Sequence, residues 1–588
     1  MTPADLGLPP KFQSWQPGQW DVITHIATSD TDLAIAAPTG VGKSVQYIAA
    51  GLLSGGRVRV LTETKALQDQ LVRDFGSLVA LIKGKSNYEC PFHGHCEAGG
   101  EEGCPNMESD ACPHTEAINT ASRAQIVIAN YAWHCATQVY GQSKVGQPDM
   151  LILDEGHSAM KAVSDALTVE LTENDFVRLG LSPPTGEGQF GPAGEYGDWA
   201  KAALERVKTR LLALTGKVPA PINQDDAQPA QAPVFAEERA NRATNRGNKT
   251  EIIALRRLRR KLGILQMASG DWVYRVIPVP GTEYHHWVIT PLWPRAAARR
   301  LLSAPRVVAL SATLTKVSLG LIGWIDGEYE FLELDSPFDP DRSPILFLPT
   351  TFMSYKASAD QIRIWRNAHN RIALSRMDRK GITHPISFDR GRLIQDGLPP
   401  ELAKITHTPG RGAGAAGINR FLKALPPALL ISPSVTTGYD FPGDQCRYQI
   451  IAKIPYPDRS DYMVKRRAES DPVWYAHETI QTVIQITGRG TRGPADWCEN
   501  WIIDNMISKL MDSHRHRFPQ WWLRRYKRAV SVQPIGNNPL LVELAGGRQL
   551  IPQPQPAKEA FFSSLRRGTA PLPPPDPDFP FTDDDLPF

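Results

Sequence analysis

Two clusters of residues have types and spacings that can do chemistry. In "AIAAPTGVGKS" (34–44) an apolar run meets a glycine-rich turn and then Lys43-Ser44. This is a phosphate cradle: backbone N–H groups around Thr39, Gly40 and Gly42 face the phosphates, Lys43 neutralises β/γ oxygens, and Ser44 supplies a Mg²⁺ ligand. Ala37 stands where the usual pattern has its first glycine. "LILDEGH" (151–157) ends an apolar run with two carboxylates: Asp154 to hold Mg²⁺ and Glu155 to orient or deprotonate the attacking water. "QITGRGTR" (485–492) adds Arg489 and Arg492, whose spacing predicts one helix face and two cations for the charge that develops in phosphoryl transfer. The second cluster, Cys90, Cys96, Cys104 and Cys112, has the spacing C-x5-C-x7-C-x7-C, without the two-residue knuckles of common structural zinc sites. Four thiolates suit a 4Fe–4S cluster, and zinc held partly by His93, His95 or His114 is the alternative.

These groups need a scaffold. The short apolar runs "LAIAA", "VRVLT", "AQIVIAN", "MLILD" and "RVVALS", each leading into a loop, predict an α/β lobe around a parallel sheet. "ALLIS", "YQIIAK" and "NWIID" predict a second lobe. Between "DEGH" and "SAT", helical periodicity in "WAKAALERVKTRLLALTG" and "KTEIIALRRLRRKLGILQ" predicts a helical insertion, and "RRLRRK" offers either a basic rim or a solvated helix face. From about residue 551 the composition turns Pro-rich, then acidic, which predicts a flexible tail.

The 588 residues exceed one core, and 41% hydrophobic with 22% charged residues is the composition of globular domains. A net charge of +3 means that any nucleic-acid surface must come from local segregation of Lys and Arg. The first residues lack a secretion-signal pattern and no apolar run reaches bilayer length, so the expectation is a cytoplasmic protein. In a reducing compartment the scattered Cys135, Cys446 and Cys498 read as core residues. In "RHRFPQWWLRRYKR" (515–528), Trp521 and Trp522 read as anchors of a terminal helix.

In their order along the chain these motifs resemble the superfamily 2 iron–sulfur DNA helicases typified by XPD and DinG, in a phage or mobile-element form. The resemblance rests on "APTGVGKS" as motif I, where that family also begins with Ala, on "LTETKALQDQL" (61–71) as motif Ia, "DEGH" as motif II, "SAT" (311–313) as motif III, "TTGYDFPGD" (436–444) as motif V and "QITGRGTR" as motif VI. Gly156 departs from the family's DEAH alanine, and "THPISFDR" (383–390) only faintly resembles motif IV. The resemblance implies two RecA-like lobes: lobe one over 1–85, 120–165 and 296–340, a cluster insertion over 86–119, a helical arch over 166–295, lobe two over 341–550 and a tail over 551–588. It implies that Gln19 reads adenine, that Asp440 and Gln485 belong to the nucleotide site, and that His157, Ser311 and Thr313 couple the lobes. It further implies that Thr64, Lys65, Thr436 and Thr437 line a single-strand track. The cysteines, between motifs Ia and II, then hold the cluster.

The implied activity is ATP-dependent DNA unwinding by a monomer that translocates 5′ to 3′ on single-stranded DNA and binds single-stranded and forked DNA, in replication, repair or recombination, within a bacterial or phage-infected cell. The alternative is a DNA-dependent ATPase that remodels nucleoprotein or R-loops as a CRISPR or phage accessory factor. No segment resembles the exonuclease domain fused to some relatives. The closing residues Asp583, Asp584, Asp585, Leu586, Pro587 and Phe588 resemble the acidic tip of single-stranded-DNA-binding proteins, which implies capture of its partners through the terminal carboxylate, or else self-inhibition in the DNA groove.

Overall fold

The computed structural model describes the chain except residues 91, 93, 97–103, 107–108, 110, 142–143, 184–187, 191–194, 216–241, 267–270, 280, 411–413, 436–438, 440, 492–495, 535–539, 545–546, 551–565 and 568–588. Lobe one begins with strands β1 (Asp32–Ala36), β2 (Val58–Thr62) and β3 (Val79–Leu81). A two-stranded ribbon follows, β4 (Glu89–Cys90) against β5 (Gly94–His95). The lobe resumes with β6 (Ile126–Asn130) and β7 (Met150–Asp154). The chain then builds β8 (Val169–Thr172), β9 (Gly188–Phe190), β10 (Trp272–Pro278) and β11 (His285–Pro291), and returns through β12 (Arg306–Ser311) and β13 (Tyr329–Glu333).

Lobe two contains β14 (Ile345–Thr351), β15 (Lys380–His384), β16 (Thr406–His407), β17 (Ala428–Ile431), β18 (Tyr448–Ile451), β19 (Glu499–Asp504), β20 (Tyr526–Pro534), β21 (Leu540–Leu544) and β22 (Gly547–Leu550). The short β23 (Arg566–Arg567) pairs back onto β13. The two large sheets run β23-β13-β1-β12-β7-β2-β6-β3 and β16-β17-β15-β18-β19-β14-β20-β21-β22. Their central pairs are parallel, so β1, β7, β12, β18 and β19 are apolar on both faces and buried nearly throughout. Every apolar run that the sequence offered as a strand is one, in the lobe expected.

The insertion departs from the helical expectation. Helices Glu195–Thr215 and Arg242–Gln266 are present, but β8-β11-β10-β9 form an antiparallel sheet beside them. Trp272, Val273 and Tyr274 on β10 and Trp287, Ile289 and Thr290 on β11 are buried, short stretches that sit among longer helical ones. Arg467 of lobe two fastens this region. Its guanidinium lies 5.5 Å from the Trp293 ring and 5.8 Å from that of Trp474, and donates to the Leu292 carbonyl (3.0 Å) and Ser164 Oγ (3.1 Å). Cys135, Cys446 and Cys498 are fully buried, as is Trp522 on helix Gln520–Arg525, and Trp521 beside it is buried. Among the described residues no helix is long and apolar enough to cross a membrane.

Candidate nucleotide site between two lobes

The phosphate cradle spans the turn from β1 to helix Lys43–Ser54. Gly40 (φ 84°) and Gly42 (φ 74°) occupy the left-handed region, which a side chain resists. Neighbours fix the same choice: a Cβ on Gly40 would lie 2.0 Å from Phe338 Cζ, and one on Gly42 would lie 2.5 Å from Gln19 Nε2. Gln19 braces the turn. Its Nε2 donates to the Val41 carbonyl (2.9 Å), while its Oε1 accepts from the Gln16 N–H (2.8 Å). Gln46 donates to the same carbonyl at 3.0 Å.

The two carboxylates lie at the end of β7, facing this loop. Lys43 Nζ is 3.6 Å from Glu155 Oε1, and Tyr47, one helical turn after Lys43, donates its hydroxyl to Asp154 Oδ2 at 3.0 Å. Burial and the neighbouring Glu155 charge raise the Asp154 carboxyl, so a buried acid here gains from a cation. Burial also disfavours ionised Glu155, but Lys43, His157 and Ser311 overcome it and hold that carboxyl below the usual range. Glu155 itself has a left-handed backbone (φ 50°), strain of the kind that sites tolerate when their surroundings over-determine it. The Gly156 departure has a local cause: a Cβ there would lie 3.3 Å from Ala309 Cβ on β12, tighter than ordinary contact.

From Glu155 a hydrogen-bonded chain leaves lobe one. Ser311 Oγ donates to Glu155 Oε2 (3.1 Å) and accepts from the Thr313 N–H (3.1 Å). His157 Nδ1 lies 2.7 Å from Ser311 Oγ and 3.3 Å from Glu155 Oε2. Its Nε2 meets the Gln485 side-chain amide, in lobe two, at 2.6 Å. Alongside it, Gln481 Nε2 donates to the Thr313 carbonyl (2.9 Å) and Ser318 Oγ (3.2 Å). Gln485 and Gln481 stand one turn apart on helix Pro472–Thr487, so one helix face reads both motif II and motif III.

Arg489 comes to the same cleft, but not on a helix. Helix Pro472–Thr487 stops at its Gly488 cap, and Arg489 lies in the following turn between Gly488 and Gly490. The expectation of a shared helix face for Arg489 and Arg492 is therefore corrected. A Cβ on Gly488 would be 3.6 Å from Thr39 Cγ2, which puts this turn against the phosphate cradle. The Arg489 guanidinium donates to the Tyr439 carbonyl; burial lowers its pKa to about 10, opposed by the charges of Glu155 and Glu63. Arg492 and Asp440 lie outside the described residues.

The sequence did not single out Tyr47, Gln481 or Phe338. A tyrosine four residues after the cradle lysine was visible as sharing its helix face; Gln481 depends on how the lobes meet, and Phe338 on the path of the chain after β13.

Thr64 caps helix Lys65–Phe75, accepting from the Leu67 N–H at 3.3 Å, and Lys65 is exposed at its first turn. Thr436, Thr437, His93 and Asp583–Phe588 lie outside the described residues. The four cysteines gather around Tyr88 as thiols in two pairs, Cys90–Cys104 and Cys96–Cys112, each with sulfurs 3.8 Å apart. Burial raises the Cys112 thiol, but N–H and hydroxyl groups of Thr115 and the His114 N–H at the start of helix Pro113–Arg123 outweigh it and favour thiolate. His114 is pushed down to about 4 by burial and Lys85, with its ring edge-on to Tyr88. Among the described residues no set of three or more His, Cys, Asp or Glu is arranged to hold a metal ion.

Comparison with known proteins places these motifs. Residues 16–172 match the DEAD/DEAH box helicase model and residues 392–525 match the helicase C-terminal domain model. Short stretches match the ATP-dependent DNA helicase YoaA of Escherichia coli (strain K12), 38% identical over 78 residues, and that of Haemophilus influenzae, 37% over 70 residues. The matched stretches span 12% and 10% of this chain and only 12% and 11% of those relatives. Solved structures of S. tokodaii Xpd4 (TM-score 0.51, 13% identity) and of apo XPD (0.50, 14%) each align over 87% of this chain and 99% of their own. The chain thus carries a DEAD/DEAH box helicase domain followed by a helicase C-terminal domain, in the two-lobed α/β fold shared with the XPD helicases.

Proposed function

We propose that this protein is an ATP-dependent DNA helicase of the XPD/DinG type that moves along single-stranded DNA. One observation carries the reading: an ion pair, Lys43–Glu155, continued by the hydrogen bonds Glu155–Ser311–His157–Gln485, runs from a phosphate-binding loop in one lobe to a helix of the other. A group poised over the phosphates is thereby linked to lobe position, which a motor needs and a static nucleotide-binding protein does not.

In this reading the cradle and Lys43 hold the triphosphate, and Gln19 meets adenine through its remaining amide hydrogen. Ser44 and Asp154 are the residues that would hold Mg²⁺, which supplies charge neutralisation at the β/γ oxygens. Glu155, held ionised by Lys43 and His157, accepts a hydrogen bond from the attacking water and orients it. Arg489 and Arg492 stabilise the charge spreading over the transferred group. As that charge departs, His157, Ser311 and Thr313 pass the change to Gln485 and Gln481, and the lobes shift. Thr64, Lys65, Thr436 and Thr437 grip the strand in alternation, with 5′ to 3′ movement following from the resemblance.

Cys90, Cys96, Cys104 and Cys112 are the residues that would hold a 4Fe–4S cluster. The donor chemistry fits, since four cysteines without a disulfide supply the thiols such a cluster takes, and to hold it the pairs Cys90–Cys104 and Cys96–Cys112 would have to close into one set. Bound there, the cluster supplies cross-links to a loop with little apolar surface. Iron at about four per chain with broad visible absorbance supports it, and zinc instead of iron overturns it. The region over 166–295 is the arch flanking the strand-separation point, and the tail over 551–588 recruits proteins that recognise the acidic tip of single-stranded-DNA-binding protein. The setting is the cytoplasm of a bacterial or phage-infected cell, and the working form a monomer.

The test is strand separation on a forked duplex with ATP. Wild type unwinds and Lys43→Ala does not. ATP hydrolysis stimulated by DNA without unwinding overturns the helicase assignment in favour of a nucleoprotein remodeller.

A further inference from the structure

We propose that Phe352 and Tyr355 form a stacking platform for single-stranded DNA on lobe two, outside the motif residues. The inference rests on the DNA-binding reading above and adds a named contact to it. Both residues lie in the segment that leaves β14 at the carboxyl edge of the lobe-two sheet, the edge where open α/β sheets take ligands. Among the described residues they are the exposed aromatics of lobe two, Phe352 at 40% and Tyr355 at 61%. Single exposed apolar residues are ordinary on protein surfaces. Two aromatic rings within four positions, each with its own ammonium, are a different arrangement. Lys509 Nζ lies 5.5 Å from the Phe352 ring centre and Lys356 Nζ lies 5.3 Å from that of Tyr355. Rings to stack on bases and adjacent cations to meet phosphates are the two components of sequence-tolerant single-strand binding. A duplex hides its base faces, so exposed rings of this kind select unpaired bases.

The platform is held rigidly from below. The Asp504 carboxylate, fully buried at the end of β19, accepts N–H bonds from Met353 (3.2 Å), Ile454 (2.9 Å) and Met506 (3.0 Å). One carboxylate therefore ties together the loops that follow β14, β18 and β19. Arg390 donates to the Ser354 carbonyl from helix Phe388–Gln395. That helix continues the segment 383–390, which faintly resembles motif IV. A ring presented on a fixed backbone loses little conformational freedom on binding.

The experiment is fluorescence anisotropy of a labelled oligodeoxythymidine of about 20 nucleotides with the full chain, at several salt concentrations. Wild type binds, and the double variant Phe352→Ala/Tyr355→Ala binds about tenfold or more weakly. The double variant Lys356→Gln/Lys509→Gln lowers the salt dependence by about two counterions. Tyr355→Trp retains affinity, and the oligonucleotide quenches its emission beyond the change that the 14 native tryptophans give in wild type, the difference being the signal of position 355. Equal binding by wild type and the aromatic variant overturns the platform and leaves the DNA-binding reading intact. No binding by wild type overturns both. If the aromatic variant fails to fold, quenching in Tyr355→Trp no greater than in wild type overturns the platform by itself.

Discussion

Replacing Gln485 by Leu keeps the side chain's bulk and removes its contact with His157 Nε2, at 2.6 Å. His157 Nδ1 faces Ser311 Oγ and the ionised Glu155, so that nitrogen carries the proton, and Nε2 is the atom left without a protein partner. Leaving a half-buried polar atom unpaired costs about 1–3 kcal/mol, a factor of roughly 5 to 150 in whatever equilibrium the contact supports. Because the Gln485 side chain hydrogen-bonds His157, which pairs with Glu155 rather than with the triphosphate, the factor falls on turnover: kcat for ATP hydrolysis drops about tenfold or more while KM for ATP stays within about threefold. Gln485→Glu restores most of the turnover, since a carboxylate can accept from a protonated His157. The assay is steady-state ATP hydrolysis at saturating single-stranded DNA. A wild-type kcat in Gln485→Leu, or a loss expressed wholly in KM, refutes the idea that this bridge transmits the state of Glu155.

Arg376→Ala strips a guanidinium from the fully buried Glu499 and lowers unfolding stability by about 3–5 kcal/mol in denaturant titration, whereas an exposed pair such as Lys161–Asp165 gives less than about 1. His134, His369, His384 and His477 are held neutral by burial, at about 3, 4, 4 and 3. A histidine whose folded pKa is depressed takes up its proton only on unfolding in the window between pH 6.5 and about 4, so stability falls as pH falls through it. From pH 7.5 to 5.5 the four together remove up to about 5 kcal/mol, visible as a lowered melting temperature. Gly40→Ala clashes with Phe338 and forces an unfavoured φ, weakening nucleotide binding; adding Phe338→Ala recovers part of the loss in a double-mutant cycle, and strict additivity counts against the contact.

The sequence carried most of the fold because parallel strands buried on both faces are written as continuous apolar runs, which "MLILD" and "NWIID" are. The nucleotide site was legible where its chemistry is local: cradle, carboxylate pair and arginine lie within short motifs. What escaped was set by distance or by punctuation. Gln481 meets Thr313 across 168 residues, a pairing that no local pattern encodes. Arg489 lies between Gly488 and Gly490, where the helix has ended, a break that the spacing of two arginines does not show. The sheet of the insertion was hidden because β10 and β11, seven residues each, sit beside helices of 21 and 25 residues. Phe338 on Gly40 and Asp504 beneath three loops are products of tertiary packing alone.

The account depends on both lobes serving one triphosphate. The most direct measurement is DNA-stimulated ATP hydrolysis by Arg489→Ala beside Glu155→Gln, with binding of a fluorescent ATP analogue recorded for each. Both variants bind the analogue and lose turnover by about 100-fold or more, one from each side of the cleft. Turnover near that of wild type in Arg489→Ala would contradict a site shared between the lobes.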